Sequence, residues 1–371
     1  MRRDTLNRKC GIATRLVIFL TLSLVGGLCP VGALGGQTGT ESVREVTFAG
    51  HNLKLAGTML VPARKNSATR LPAAVIVGEM GTTTRDGLQV GSAAHLVYRD
   101  LATALARQGL VTLRYDRRCR GASECKKIEA YDDYIDDLHG AIKFLSAQPE
   151  VDPKRIVLIG HGEGGFIATS LLAQFENAAA GLVVVSMSGR TLGKMLRDEI
   201  QARMSEEGRP TAEIRENQAK AERITRALFY SRPEVIKETF DPANPYDMEL
   251  REVINESPRA VSLLVNDPLQ AFAALRLPIL ILQGGKDLEV TTKDAFFLEE
   301  ALKRIYHPDH TLRTLAEMDH LLKVNKGQPT FASYKDETRP IDPELTTMIA
   351  EWVLERYGDA AGVGKKRQVQ K

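Results

Sequence analysis

The stretch Gly160-His161-Gly162-Glu163-Gly164-Gly165 decides the fold of this 371-residue chain. It follows residues 155–159, whose apolar run predicts a buried strand, and it precedes residues 166–175, whose pattern predicts a helix. Small residues at positions 160 and 164 allow a strand and a helix to approach each other closely. A sharp strand-to-helix turn of this kind lifts its central residue above the end of the sheet, on a strained backbone with φ > 0. The central residue here is Gly162.

The segments on either side of this turn alternate between strand and helix patterns. Residues 43–48 and 53–61 predict an antiparallel pair that precedes the alternation. Short apolar runs predict buried strands at 72–78, 110–115, 181–185, 278–283 and 311–315. Longer periodic segments predict helices at 94–108, 131–147, 293–305 and 343–356. Alternation of this kind indicates an α/β protein with a mainly parallel sheet and helices on both faces.

About 80 residues interrupt the alternation, and they have helical spacing with many charges. Segments 194–204 and 214–228 are the clearest predicted helices in this region. We therefore predict a core at 43–189 and 273–358, a helical cap insertion at 190–272, and a flexible basic tail at 359–371.

The pattern of residues 1–33 predicts an export signal. Arg2, Arg3, Arg8 and Lys9 form a positive region ahead of an apolar run at 16–28, and Val31-Gly32-Ala33 supplies small residues for cleavage. The run is short for a membrane span. We expect a mature protein that begins shortly after Ala33, is periplasmic or extracellular, and has no stable membrane span.

Charge argues against nucleic acid as a partner. The chain has a formal net charge of +3, but residues 1–33 carry five basic residues and one acidic residue, so the remainder has a net charge of −1. A body so close to neutral lacks the basic surface that nucleic acid requires. The glycines at 160–165 are accounted for by the turn and do not form a phosphate-binding loop, so we expect no cofactor.

The cysteines of the predicted mature chain are Cys119 and Cys125, which lie close together in one loop. In an oxidising compartment such a pair is expected to form a disulfide, although two unpaired thiols are the alternative. No histidine lies near them in sequence, so we expect no metal site there.

Together these motifs resemble the α/β-hydrolase superfamily, in particular exported bacterial serine aminopeptidases and esterases. That group shows Gly-His-Ser-x-Gly-Gly at the turn, and the present chain matches it except at the serine. The resemblance also covers further short motifs across 43–357, namely Arg85-Asp86-Gly87, Tyr115-Asp116-Arg117-Arg118, Gln283-Gly284-Gly285-Lys286-Asp287 and Asp319-His320.

The resemblance implies a role for each site residue. His320 would be the base and Asp287 would orient it, in the chain order nucleophile, acid, histidine. The backbone N–H of Glu163 would bind the oxyanion, and a second N–H would come from Glu79 or Met80, in a loop where the family usually has small residues. Gly162 would occupy the nucleophile position.

Glycine has no side chain that could form an acyl-enzyme, so the chain as written is expected to be catalytically impaired. Three hypotheses remain open. The chain is a non-catalytic module that binds a ligand or protein in the old pocket. Or it is an active hydrolase that uses His320-activated water or a substitute nucleophile such as Cys119 or Glu163. Or the glycine is a deliberate or recent change, and Gly162→Ser would restore activity.

Ser186 and Ser188 are better explained as turn-capping hydroxyls. We expect a small ester, amide or short peptide as ligand; the sequence leaves the oligomeric state open.

Overall fold

The computed structural model describes residues 41–63, 68–79, 84–90, 93–126, 131–229, 241, 244, 251 and 267–358. All of them belong to the unit Gly39–Lys371. The predicted export signal, the basic tail, Met80 and most of residues 230–266 of the predicted cap lie outside these residues. Within the described part of the chain, no helix is both long and apolar enough to cross a bilayer.

An eight-stranded sheet forms the centre of the fold, in the order β1-β2-β6-β3-β7-β8-β9-β10. β1 and β2 are antiparallel to each other, and β2 is antiparallel to β6. The remaining neighbours are parallel. A separate hairpin is made by β4 and β5. The strands are β1 Ser42–Ala49, β2 Lys54–Val61, β3 Leu71–Val77, β4 Leu88–Val90, β5 Ala93–His95, β6 Val111–Tyr115, β7 Val151–His161, β8 Gly181–Val185, β9 Ile279–Gly284 and β10 His310–Leu315.

Helices cover both faces of the sheet, as the alternating sequence predicts. One face packs against α2 and α3, and the other packs against α1 and the last helix. The central strands are buried on both faces, which explains their continuous apolar runs. The helices are α1 Val97–Arg107, α2 Asp132–Ser146, α3 Glu163–Gln174, α4 Leu192–Glu206, α5 Thr211–Phe229, α6 Pro268–Ala274, α7 Thr292–Arg304 and α8 Pro343–Tyr357.

Two local predictions differ from the structure. The helix predicted at 94–108 begins at Val97, because Ala93–His95 pairs with β4 instead. The helix predicted at 166–175 begins three residues earlier, at Glu163. The early start brings the backbone N–H groups of the helix up to the turn that the sequence singles out.

Helices α4 and α5 lie in the segment predicted as a helical cap, and α4 is tied to the core through Arg190. The Arg190 guanidinium pairs with Asp198 of α4 at 2.7 Å and with Asp294 of α7 at 2.6 Å. Asp294 is fully buried and also accepts hydrogen bonds from Ser188 and Gly189. One carboxylate on the core thus fixes the chain where it enters the insertion.

Candidate active site

The turn between β7 and α3 has the backbone geometry that the sequence predicts. Gly162 has φ of 51° and ψ of −120°, a conformation that costs a residue with a side chain about 1–3 kcal/mol. A Cβ on Gly160 would lie 2.4 Å from the Cα of Gly165, and one on Gly164 would lie 2.1 Å from the carbonyl oxygen of Val77. Strand and helix therefore approach as closely as glycine permits, and Gly162 stands at the carboxyl end of the sheet.

Asp287 and His320 come together beside this turn from the loops that follow β9 and β10. His320 Nδ1 donates to Asp287 Oδ2 at 3.0 Å, and both side chains are buried. The other oxygen of Asp287 accepts the backbone N–H groups of Glu289 and Val290, at 3.0 and 2.8 Å. The carboxylate is thus held in place by its own loop, and the Nε2 edge of His320 is directed away from it.

Glu79 enters the site through its side chain, which the sequence interpretation did not anticipate. A Cβ added to Gly162 would lie 1.3 Å from Glu79 Oε2. The same oxygen lies 3.5 Å from His320 Nε2, and Glu79 Oε1 accepts the backbone N–H of Glu163 at 3.2 Å. The carboxylate thus fills the volume where the resemblance places a serine side chain, and it takes the N–H expected for the oxyanion.

The backbone N–H of Glu79, expected as a second oxyanion donor, is used elsewhere. It donates to the Tyr98 hydroxyl at 2.7 Å, and that hydroxyl lies 2.8 Å from His161 Nδ1. His161 Nε2 lies 2.9 Å from the carbonyl oxygen of His320, and a carbonyl oxygen can only accept a hydrogen bond. Nε2 therefore carries the proton, and the Tyr98 hydroxyl donates to Nδ1. Burial lowers the pKa of His161 to about 4, which agrees with a neutral ring.

A buried ion pair fixes the loop that carries Glu79. The Glu163 side chain pairs with Arg117, and Arg117 Nη2 donates to the carbonyl oxygen of Gly78. Both charged side chains are at most 9% exposed. Glu163 therefore serves the site twice, because its N–H binds the Glu79 carboxylate and its side chain anchors the residue before Glu79 through Arg117.

Negative charge surrounds the His320 ring. Glu289 Oε2 lies 3.4 Å from His320 Nε2, on the same edge as Glu79. Burial alone would lower the pKa of His320, but Asp287 and Glu289 outweigh it and hold that pKa well above its ordinary value. Burial, together with the charge of Glu199 on α4, raises the pKa of Glu289 above its ordinary value. The carboxylates around His320, Asp287 first, thus favour its protonated form.

Glu79, His161 and His320 place possible metal-ligand atoms within 4.8 Å of one another. Both ring nitrogens of His161 are already in hydrogen bonds that hold Tyr98 and the His320 backbone. A metal ion bound through His161 would break one of these bonds, so the cluster fits the hydrogen-bonded arrangement better than a metal site.

The other candidate nucleophiles have different surroundings. Cys119 Sγ is bonded to Cys125 Sγ at 2.02 Å, which leaves no Cys119 thiol to act as a nucleophile. The Ser188 hydroxyl accepts the backbone N–H of Arg190 at 3.0 Å, which agrees with a turn-capping role, and it donates to Asp294 at 3.0 Å. Ser186 is fully buried, with φ of 48°, and its hydroxyl has no hydrogen bond to His320.

Comparisons with known proteins identify the family of this chain. Residues 91–326 match the family model described as serine aminopeptidase, S33. Esterase EstD of Thermotoga maritima is 24% identical over 304 residues, which cover 81% of this chain and 65% of the esterase. The polyketide transferase ATR5 of Stachybotrys chlorohalonatus is 35% identical over 83 residues, 22% of this chain and 28% of the transferase. The chain thus spans less than two thirds of the length of these relatives.

Solved structures share the fold at low sequence identity. The Pyrococcus furiosus esterase PF2001 is 17% identical with a TM-score of 0.53, and the match covers 90% of this chain and 95% of that one. The hypothetical protein PA2218 of Pseudomonas aeruginosa is 18% identical with a TM-score of 0.51, and the match covers 85% and 94%. With a family model that matches most of the chain and the mainly parallel sheet described above, this protein belongs to the serine aminopeptidase S33 family of the α/β-hydrolase superfamily.

Proposed function

We propose that this chain is an exported hydrolase of a carboxylic ester or short-peptide amide in which the Glu79 carboxylate takes the place of the serine hydroxyl. The observation that carries the proposal is the position of Glu79 Oε2, which is 1.3 Å from where a Cβ of Gly162 would stand and 3.5 Å from His320 Nε2. Family membership supports the reaction class. Esters and peptides come into the proposal from the esterase and aminopeptidase descriptions of its relatives.

This proposal departs from the expectation that a glycine at position 162 impairs catalysis. A carboxylate is a competent nucleophile or base, and here it lies beside a histidine that is oriented by Asp287. The structure also weakens the hypothesis of a His320-activated water in the vacated space, because that space holds Glu79.

A non-catalytic binding protein is the second candidate, and one contact favours it. Glu79 Oε1 accepts the Glu163 N–H, as the carboxylate of a bound ligand or product would. In that case the Glu79 side chain occupies the pocket where the ligand would bind. Its removal would improve ligand binding and would not abolish any turnover.

The test is steady-state hydrolysis by the mature protein on a panel of p-nitrophenyl esters and aminoacyl p-nitroanilides. We expect Glu79→Gln and His320→Ala each to lower kcat by at least about 10³-fold, because loss of a nucleophile or base from a triad costs on the order of 10⁶. Glu176→Gln, at an exposed position beyond the C-terminal end of α3, is the matched control and should behave as the parent. Undiminished turnover in Glu79→Gln would contradict the proposal.

Export is a separate part of the proposal. It rests on the order of basic, apolar and small residues in the first 33 positions. N-terminal sequencing of protein recovered from the periplasm or medium should begin shortly after Ala33, and an unprocessed chain in the cytosol would contradict export.

A further inference from the structure

A carboxylate in the serine position changes the order of proton transfers, and this has a mechanistic consequence. A serine must give a proton to the histidine before it attacks, whereas a carboxylate has none to give. Resting on the proposed function, we propose that Glu79 is a covalent nucleophile whose Oε2 attacks the substrate carbonyl carbon, with His320 acting first as an acid and then as a base. The intermediate is a mixed anhydride between Glu79 and the acyl group of the substrate.

The position of Oε2 supports direct attack. Oε2 lies where a Cβ of Gly162 would stand, and glycine has no side chain that could separate this oxygen from the substrate. It is also the oxygen nearer the Nε2 edge of His320, at 3.5 Å. A proton on that nitrogen is therefore beside the forming bond, where the leaving group departs.

The position of Oε1 supports the second half of the reaction. Once Oε2 is acylated, Oε1 becomes the carbonyl oxygen of the glutamyl anhydride, and it already accepts the Glu163 N–H at 3.2 Å. Attack of water on Glu79 Cδ places negative charge on Oε1, where that donor stabilises it. The Glu163 N–H thus stabilises negative charge on the Glu79 carbonyl oxygen, so water attacks Glu79 Cδ and not the acyl carbon of the substrate.

The steps balance. In the first, a bond forms between Oε2 and the acyl carbon, the bond to the alcohol or amine breaks, and His320 gives its Nε2 proton to the leaving group. In the second, neutral His320 takes a proton from water, the hydroxide adds to Glu79 Cδ, and the bond between Cδ and Oε2 breaks. The product leaves with the original Oε2 and Glu79 retains the oxygen of water. The new Glu79 carboxyl group gives its proton to the departing carboxylate, which restores the Glu79 carboxylate beside protonated His320.

The surroundings of His320 agree with this order. The neighbouring carboxylates, Asp287 first, favour its protonated form, as the acid step requires. Loss of that proton in the first step leaves it neutral when water must be deprotonated. Asp287 holds the ring through Nδ1 in both states, so Nε2 remains directed to the same side.

Two contacts place Glu79 for the attack. Tyr98 holds its backbone N–H, and Arg117 holds the carbonyl group of the preceding residue, Gly78. Arg117 is in turn paired with Glu163, whose N–H binds the carboxylate. We assign Arg117 as a positioning residue, because it holds the backbone of Gly78, the residue before Glu79.

The experiment follows oxygen from water enriched in oxygen-18. The mature protein is allowed several turnovers of the panel substrate it hydrolyses best and is then quenched and digested, and the peptide that carries Glu79 is weighed. We expect that peptide to gain heavy oxygen and the acid from a single turnover to be unlabelled. The Glu176→Gln control should show the same labelling, and parent protein kept in the labelled water without substrate should show none.

Each failure has a distinct signature. Turnover with label in the first-turnover acid and none in Glu79 would overturn the attack of water on Glu79 Cδ and leave the proposed function standing. No turnover by the parent on any panel substrate would overturn both. Glu79→Asp, which keeps a carboxylate on a shorter arm, should retain labelling at a reduced rate, and full activity in Glu79→Gln would also overturn both.

Discussion

Gly162→Ser tests the central observation most directly. On the sequence alone this change is expected to restore a serine hydrolase. In the structure the new Cβ would lie 1.3 Å from Glu79 Oε2 and 2.2 Å from its carboxyl carbon. The end of a glutamate side chain can move, so we expect the protein to fold with the carboxylate displaced. The displaced group would lose its hydrogen bond from the Glu163 N–H and its place beside His320.

The cost has two parts. A side chain at φ of 51° costs about 1–3 kcal/mol of backbone strain. Loss of a hydrogen bond to a charged group costs about 1.5–3 kcal/mol. Gly162→Ser should therefore lower the free energy of unfolding by about 2.5–6 kcal/mol, and Glu79→Ala should lower it by about 1.5–3 kcal/mol. Because both changes remove the same hydrogen bond, adding Glu79→Ala to Gly162→Ser should cost little more.

The assay is urea unfolding of the parent, both single variants and the double variant, with fluorophosphonate labelling of each. We expect a coupling energy of about 1.5–3 kcal/mol between the two positions. We expect faster labelling of the double variant than of Gly162→Ser alone, because the displaced Glu79 carboxylate still crowds the serine in the single variant. Additive free energies within about 0.5 kcal/mol, or equally rapid labelling of the two serine variants, would refute the claim that Glu79 occupies the serine position.

Three further predictions concern the surroundings of the site. Neighbouring carboxylates outweigh burial and raise the pKa of His320, so kcat should be high below that pKa and should fall as pH rises through it. A kcat that rises over this range would show that the first step requires neutral His320. Arg117→Met should lower the free energy of unfolding by about 3–5 kcal/mol, because it removes the guanidinium that pairs with the buried Glu163 carboxylate. Adding Glu163→Gln should recover part of this loss in urea unfolding, and no recovery would mean that Arg117 acts through other contacts. Replacing both Cys119 and Cys125 with alanine should lower the free energy of unfolding by at most about 3 kcal/mol, because the closed loop is short, and should leave kcat unchanged. Alkylation of the parent without reductant should label neither cysteine, and full labelling of both would contradict the disulfide.

The fold could be predicted from local patterns because its signals are local. The apolar runs of the central strands and the glycines at 160 and 164 mark close packing, and each of these patterns is visible within a few consecutive residues of the sequence. The Ala93–His95 hairpin strand was missed because Ala-rich sequence favours a helix, and its pairing with β4 is a tertiary contact that overrides this preference.

The site was predictable only in part. Chain order and motif indicated Asp287 and His320, and the structure joins them at 3.0 Å. Glu79 was expected to contribute its backbone N–H, because a loop has no period that reveals the direction of a side chain. One signal was present in the sequence, namely a large acidic residue where the resembling proteins have a small one, opposite a glycine where they have a serine. Recognising it requires knowing that these two positions meet.

The overlap between position 162 and the Glu79 carboxylate also constrains how such a site could arise by descent. A serine at 162 together with a glutamate at 79 would place two groups in one volume, so neither residue could be gained freely in the presence of the other. A glycine at 162 with a small residue at 79 leaves only a small gap, which proteins tolerate at modest cost. From a serine at position 162, the order with the smaller cost is therefore loss of the serine first and gain of the glutamate second. A change back to serine while Glu79 is present would carry the loss of stability given above for Gly162→Ser.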